Sequence, residues 1–245
     1  MKLNENTGKR LIAISNPKVL LVPYDRRHVP RYHEWMSDPA IQEATASEPL
    51  TLEEEYENQE SWRESHDKLT FILCQPIANS DGSKTSVDAG EVDVPGRMIG
   101  DINFFLYPWD DDDEQDGANT NGQSYCTGEI DIMIAGRHDR GRGLGKAAVS
   151  TFLHYIWSNL EAILREYESE SAGRLEDAPR LKLKLLMAKI KATNAHSIAL
   201  FKSLGFTQEG DVNYFGEIKL VLEDLERLAS PTEEYNVLDY RRPDN

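Results

Sequence analysis

The chain has 245 residues, with 43 acidic against 27 basic side chains, a formal net charge of −16 and a pI near 4.8. That length suits one domain carrying insertions and is enough to bury a full core. The charge argues against nucleic acid and anionic membrane as partners and toward basic peptides or amines, and two cysteines, Cys74 and Cys126, leave no disulfide framework or CxxC metal site.

The opening residues, MKLNENTGKRL, lack the apolar core of a signal peptide, and no run approaches the ~20 residues of a membrane span, so the cytoplasm is the expected location. Val19 to Val22 reads as a short apolar strand, followed by Pro23 and a polar stretch to His28. His28 through Met36 predicts a helix, with Pro30 tolerated in its first turn, and Asp38-Pro39 ends it. Thr45 to Pro49 reads as a loop. Thr51-x-x-Glu54 is a capping box that opens a second helix to about Ser65, and Leu69 to Cys74 is the next strand. Residues 76–96, rich in Asn, Ser, Gly, Asp and Pro, read as a solvated insertion rather than core. After a strand from Arg97 to Leu106 comes a second polar insertion, about 107–126, whose acidic run Asp110 to Glu114 reads as a disordered surface segment.

Gly128 to Ala135 alternates: Ile130, Ile132 and Ile134 fall on one face, Glu129, Asp131, Met133 and Ala135 on the other, which predicts a strand with one oily face. The period then changes, because Val149, Phe152, Leu153, Ile156, Trp157 and Leu160 recur at helical spacing. Residues 166–180 are a charged connection. Leu181 to Ile190 is a strand, Ala195 to Leu204 a short helix ended by Gly205, and Phe206 opens a hairpin whose return strand is Glu217 to Leu222. From Glu223 onward no strong pattern remains. The elements run strand, two helices, three strands, helix, strand, helix, strands, which predicts an α/β (α+β) chain in one domain over 1–245.

Between that central strand and its helix lies Arg140-Gly141-Arg142-Gly143-Leu144-Gly145-Lys146. Glycines let such a turn take positive φ and let a ligand approach its amides. The helix start adds unpaired N–H groups and partial positive charge, which together suit a phosphate. Four basic side chains here, Arg137, Arg140, Arg142 and Lys146, face one acid, Asp139, in an otherwise acidic chain. A P-loop fails, since Arg140 stands where its first glycine belongs and Ala147 where Ser or Thr belongs. The dinucleotide fingerprint fails because the helical pattern still runs at Glu161, where a second strand should be ending. A glycine turn with no ligand would use the same letters.

What this stretch resembles, in context as well as in letters, is the Arg/Gln-x-x-Gly-x-Gly/Ala signature of the GCN5-related N-acetyltransferase (GNAT) superfamily. A closer likeness, to its N-acetyltransferase 9-like branch, runs through VLLVPYDRRHVPRYHEWMSDP, TASEPLTLEEEYENQESW and NAHSIALFKSLGF. The element order matches that of the same superfamily, and the resemblance implies its fold, a mixed central sheet flanked by helices, and acetyl transfer from acetyl-CoA to an amine. It implies that the amides from Arg140 through Lys146 hold the coenzyme's diphosphate, that the backbone of Met133 and Ala135 pairs with its pantetheine arm, and that Asn194 and Phe201 contact that arm. It implies Glu129 as the base that frees the acceptor amine, with Asp131 one pleat closer to the thioester; both would also suit a wet strand face. Glu48 is a weaker candidate. Many relatives place a proton-donating tyrosine where this chain has Phe201, so the acid is left to Tyr214, to Ser197, to water, or to a thiolate that leaves unaided, its thiol pKa being near 8.5.

The partners so implied are acetyl-CoA and a protein or peptide amine, an N-terminal α-amino group favoured and lysine open, with no nucleic acid and no membrane. Acetylation of a small amine and a protein-binding module that has kept only the fold are the other readings. No metal is expected: of six histidines only His28 and His33 lie near ligand spacing, and they share no helix face.

Overall fold

The computed structural model describes residues 11–77, 85–109, 124–169, 180–230 and 234–242. The acidic run from Asp110 to Glu114 lies outside them. In chain order the elements are β1 (Leu11–Ser15), β2 (Leu20–Pro23), α1 (Val29–Met36), α2 (Pro39–Thr45), α3 (Leu52–Glu64), β3 (Lys68–Cys74), β4 (Ser86–Asp88), β5 (Met98–Pro108), β6 (Tyr125–Ile134), α4 (Leu144–Ser169), β7 (Lys182–Lys191), α5 (Ala195–Ser203), β8 (Thr207–Glu209), β9 (Glu217–Leu222) and β10 (Asn236–Arg241). The strands form one mixed sheet in the order β4-β10-β1-β2-β3-β5-β6-β7-β9-β8.

The central strands β2, β3 and most of β5 are buried on both faces, which is why they read as apolar runs more than as alternation. Neighbouring residues of one strand enter different cores. Val19 and Leu21 join Phe71, Phe104, Ile130, Phe152 and Phe201 under α4 and α5, while Leu20 and Val22 join Ile72, Met133, Trp35 and Leu238 under α1. The second face of β6 is therefore not polar throughout, as its alternation suggested. Met133 and Ala135 are buried, and between them and Glu129 only Asp131 is open to solvent.

Four elements were not foreseen, α2, β1, β4 and β10. Asp38-Pro39, expected only to end a helix, also starts α2: Asp38 accepts the Ala40 N–H at 2.9 Å and Pro39 takes the first helical position. β1 and β10 are short and weakly patterned, and they hold each other through a five-residue antiparallel register from Leu11↔Tyr240 to Ser15↔Asn236. Of the stretch expected to be solvated loop, residues 78–84 lie outside the described ones, and the part after them carries core. Val87, Ala89 and Val92 are buried, and Asp93 accepts from His28 Nε2 at 2.8 Å, from the Tyr240 hydroxyl and from the Gly90 N–H at 2.6 Å. Buried carboxylates persist only with such partners. Glu166, expected in a connection, is buried within α4.

One irregularity positions everything that follows. β6 pairs in parallel with β7 from Tyr125↔Lys182 to Glu129↔Met187 and then stops, although β6 continues to Ile134 and β7 to Lys191. On its other side β6 stays paired with β5 as far as Gly100↔Ile134. The sheet thus opens into a wedge beyond Glu129. Among the described residues no helix is long and apolar enough to cross a membrane.

Candidate active site

The wedge is a cavity of about 290 Å³. Tyr32, Ala44–Ser47 and Trp62 line it from α1, α2 with its following loop, and α3. β5 adds Asp101 and Asn103, β6 adds Glu129 through Met133, β7 adds Lys189 through Lys191, and α5 adds Asn194, Ser197 and Phe201. Asp101↔Met133, Asn103↔Asp131 and Phe105↔Glu129 are cross-strand partners, so these side chains share one sheet face.

Four carboxylates and two lysines meet there. Glu129 is nearly buried and pairs with Lys189 Nζ at 2.9 Å; Glu217 pairs with Lys191 Nζ at 3.1 Å. Among the described residues no cation pairs with Asp131, which opens on the cavity but is crowded by protein on its other sides. Burial, then the charges of Glu129 and Asp101, push its carboxyl up to about 7, against a smaller pull from Lys189. Asp101, on the floor, is pushed up by burial to about 6 despite bonds from Asn103 Nδ2 at 2.8 Å and the Tyr32 hydroxyl at 3.3 Å. A carboxylate titrating near 7 beside an open cavity is suited to take a proton at neutral pH.

The amides do not fall quite where the resemblance put them. The Ala135 N–H donates to the Ile99 carbonyl at 3.0 Å, and Met133, two residues earlier, turns its N–H and carbonyl to the same β5 side. Gly100 is packed so closely there that a Cβ on it would lie 1.9 Å from the Met133 oxygen. The backbone groups of β6 that face the wedge are those of Ile132 and Ile134. Arg140 donates from Nε to the Ile134 carbonyl at 2.8 Å and from a terminal guanidinium nitrogen to that of Ala135 at 3.2 Å, which braces the loop against the end of β6.

Gly141 and Gly143 have φ of +72° and +78°, the left-handed region that a side chain would strain. They turn the chain into α4, whose first amides, from Leu144 through Lys146, have no carbonyl within the helix. Arg142 pairs with Asp139 at 3.3 Å and is otherwise exposed, as is Lys146. Unpaired helix amides beside exposed cations are the donors that an anion would require. Asn194 caps α5 by accepting the Ser197 N–H at 3.1 Å. Phe201 is buried edge-on to Phe206, with ring centroids 5.1 Å apart. Tyr214 is 97% exposed on the β8–β9 turn and does not line the cavity; Glu48 is exposed just past the lining residue Ser47.

Sequence reasoning missed Tyr32, Asp101, Asn103, Lys189 and Glu217. Asp101 and Asn103 carried a signal, two polar residues at alternate positions in an apolar strand, MIGDINFFLYP. Among the described residues no three His, Cys, Asp or Glu side chains gather into a group that could hold a metal.

The acetyltransferase (GNAT) domain family matches residues 18–207. A Drosophila melanogaster protein named alpha/beta-tubulin-N-acetyltransferase 9 is 41% identical over 220 residues, spanning 90% of this chain and 88% of its own. An N-acetyltransferase 9-like protein of Dictyostelium discoideum is 34% identical over 245 residues, 100% of this chain and 95% of its own. In fold, the chain is similar to an aminoglycoside acetyltransferase solved in complex with coenzyme A: TM-score 0.52, 14% identity, 89% of this chain and 99% of that one.

Proposed function

Because this chain belongs to the GNAT acetyltransferase family, we propose that it moves an acetyl group from acetyl-CoA to a primary amine of a protein, with a carboxylate in the wedge as base. The observation that carries the reading is Asp131, an open carboxylate held near 7 at the point where β6 and β7 part.

Acetyl-CoA supplies an activated thioester. The residues present fit it: the glycine turn and first amides of α4 offer donors for a diphosphate, and the wedge leaves the Ile132 backbone and the Ile134 N–H aimed where an extended arm would lie. Asp131 removes a proton from the acceptor ammonium, freeing the nitrogen pair that forms the new C–N bond as the C–S bond breaks. As the amide forms, the nitrogen sheds its second proton to solvent, and the departing sulfur takes one from solvent, directly or relayed through the Ser197 hydroxyl on the cavity wall. Glu129, held by Lys189, keeps negative charge beside Asp131 and so helps set its affinity for the proton.

The carboxylates favour a cationic acceptor. An α-ammonium, with an unperturbed pKa of about 8, is nearly matched to Asp131, whereas lysine near 10.4 is some three units uphill. An N-terminal α-amino group is therefore the favoured acceptor. The fly relative's name makes tubulin the first protein to try.

The test uses the purified chain with labelled acetyl-CoA and N-terminal and lysine peptides. Asp131→Asn should lower turnover about 100-fold or more at pH 7 with coenzyme binding unchanged. Glu129→Gln should keep activity and move the acid limb of the pH–rate curve below 7, because a negative neighbour has gone. If instead Glu129→Gln abolishes turnover and Asp131→Asn does not, the base is Glu129.

A further inference from the structure

The turn between β1 and β2 lies against the glycine loop, and it precedes or only just enters the matched family segment, which begins at residue 18. Asn16, at the head of that turn, is buried and fully engaged. Its Oδ1 accepts the N–H groups of Lys18 at 2.7 Å and Val19 at 2.9 Å; its Nδ2 donates to the Ala147 carbonyl at 3.2 Å and to Thr151 Oγ1 at 2.7 Å. Its backbone N–H closes the turn on the Val19 carbonyl at 3.0 Å. Ala147 and Thr151 belong to the first two turns of α4. One amide side chain thus locks a surface turn to the start of the helix whose free amides face the anion site.

The result of that locking is the placement of Lys18. Its ammonium stands 4.0 Å from where a Cβ on Gly143 would lie, on the open side of the glycine turn. With Arg142 and Lys146, this brings a third cation to a loop that already offers helix amides.

We propose that Lys18, positioned by Asn16, is a phosphate ligand of the coenzyme, a contact contributed by the N-terminal hairpin rather than by the glycine loop itself. The inference rests on the coenzyme reading given above. A lysine acts here as a point charge: it needs no fixed hydrogen-bond geometry, and its effect falls with added salt. Gly143 sits at the start of α4, so the diphosphate is the nearest target, and the coenzyme's 3′-phosphate is the other phosphate within its chemistry.

The experiment is calorimetric titration of the full chain with coenzyme A and with 3′-dephospho-coenzyme A at low and high salt, for wild type, Lys18→Ala, Lys18→Glu and Lys18→Arg. Lys18→Ala should raise Kd for coenzyme A about tenfold at low salt. Lys18→Glu should raise it further, Lys18→Arg should restore most of the affinity, and the salt dependence should shrink in the Ala variant. Melting temperatures should stay within a degree or two, since the side chain is exposed. A loss seen with both ligands places the lysine on the diphosphate; a loss confined to coenzyme A places it on the 3′-phosphate. Unchanged Kd for both ligands in the Ala and Glu variants overturns the proposal while leaving the coenzyme site intact. Failure of the wild type to bind coenzyme A removes the underlying reading, and this inference with it.

Discussion

Asp101 shows what a single buried carboxylate costs and contributes. It lies on the cavity floor, and its Oδ1 has no hydrogen-bond partner among the described residues. Burial raises its carboxyl to about 6 from an unfolded value near 3.9, so the folded state prefers the protonated acid. The penalty for ionising it is absent below pH 4, grows between 4 and 6, and is complete above 6. Asp101→Asn should therefore raise stability by roughly 2 kcal/mol at pH 8 and by little at pH 4, as read from thermal unfolding. An equal gain at both pH values would mean that packing, not charge, is responsible. The same change should lower the Asp131 carboxyl, whose upward shift owes part to Asp101. At this scale the sequence was only partly informative. Glu129 and Asp131 were visible because alternation put them on one face. Which of them carried a cation was not, because Lys189 lies 60 residues away and meets Glu129 only through the parallel pairing of β6 and β7.

Among the elements, β5 and β6 are the pair whose fit is tightest. Gly100 faces Ile134 across the ladder, and any Cβ there would meet the Met133 carbonyl and the Ile134 Cα at 1.9 and 3.2 Å, both backbone atoms that cannot swing away. Gly100→Ala should push the strands apart at the wedge and cost about 3 kcal/mol or more, close to the upper end for single substitutions. Denaturant unfolding would measure it, and a loss below 1 kcal/mol would show that the strands yield. Elements with strong local signals were legible. The capping box at Thr51 is present, Thr51 Oγ1 accepting from the Glu54 N–H and the Glu54 carboxylate accepting from the Thr51 N–H, and α3, α4, β3 and β7 lie within a few residues of their expected bounds. β1 and β10 were not legible, because five or six residues of weak alternation acquire meaning only when the partner strand arrives from more than 200 residues away. α2 was hidden by an Asp-Pro pair that serves equally to stop one helix and to start the next.

For the molecule as a whole, the chain's far ends are joined through Asp93. His28 from the turn before α1, Tyr240 from β10 and the Gly90 amide all donate to this one carboxylate. Burial alone would raise it, but these bonds outweigh burial and hold it at about 2. Its folded value lies below the unfolded one, so its contribution is present above pH 4 and is lost as pH falls through about 2. Asp93→Asn should cost about 2–4 kcal/mol at pH 7, with the deficit narrowing below pH 3. A deficit constant from pH 2 to 7, in chemical denaturation, would rule out the charge as its source. The order of elements was legible, and its likeness to that of the acetyltransferase family suggested a mixed sheet flanked by helices. That a stretch rich in Ser, Gly and Asp would supply the carboxylate tying the tail to the start was beyond it, since composition registers polarity and not who satisfies it.

The parting of β6 from β7 has one last consequence. A gap between two strands passes through the sheet, and its walls belong to both layers: Ile132 and Phe201 pack with the core under α4, Met133 with the core under α1. Donor and acceptor need not queue for a single doorway. On the proposed reading they can arrive from opposite sides, and the two thiols of the chain, both buried and both pushed up by that burial, are poor carriers of an acyl group. The expected outcome is then a single displacement, and mass spectrometry of the chain incubated with acetyl-CoA alone should find no acetyl group on Cys74 or Cys126.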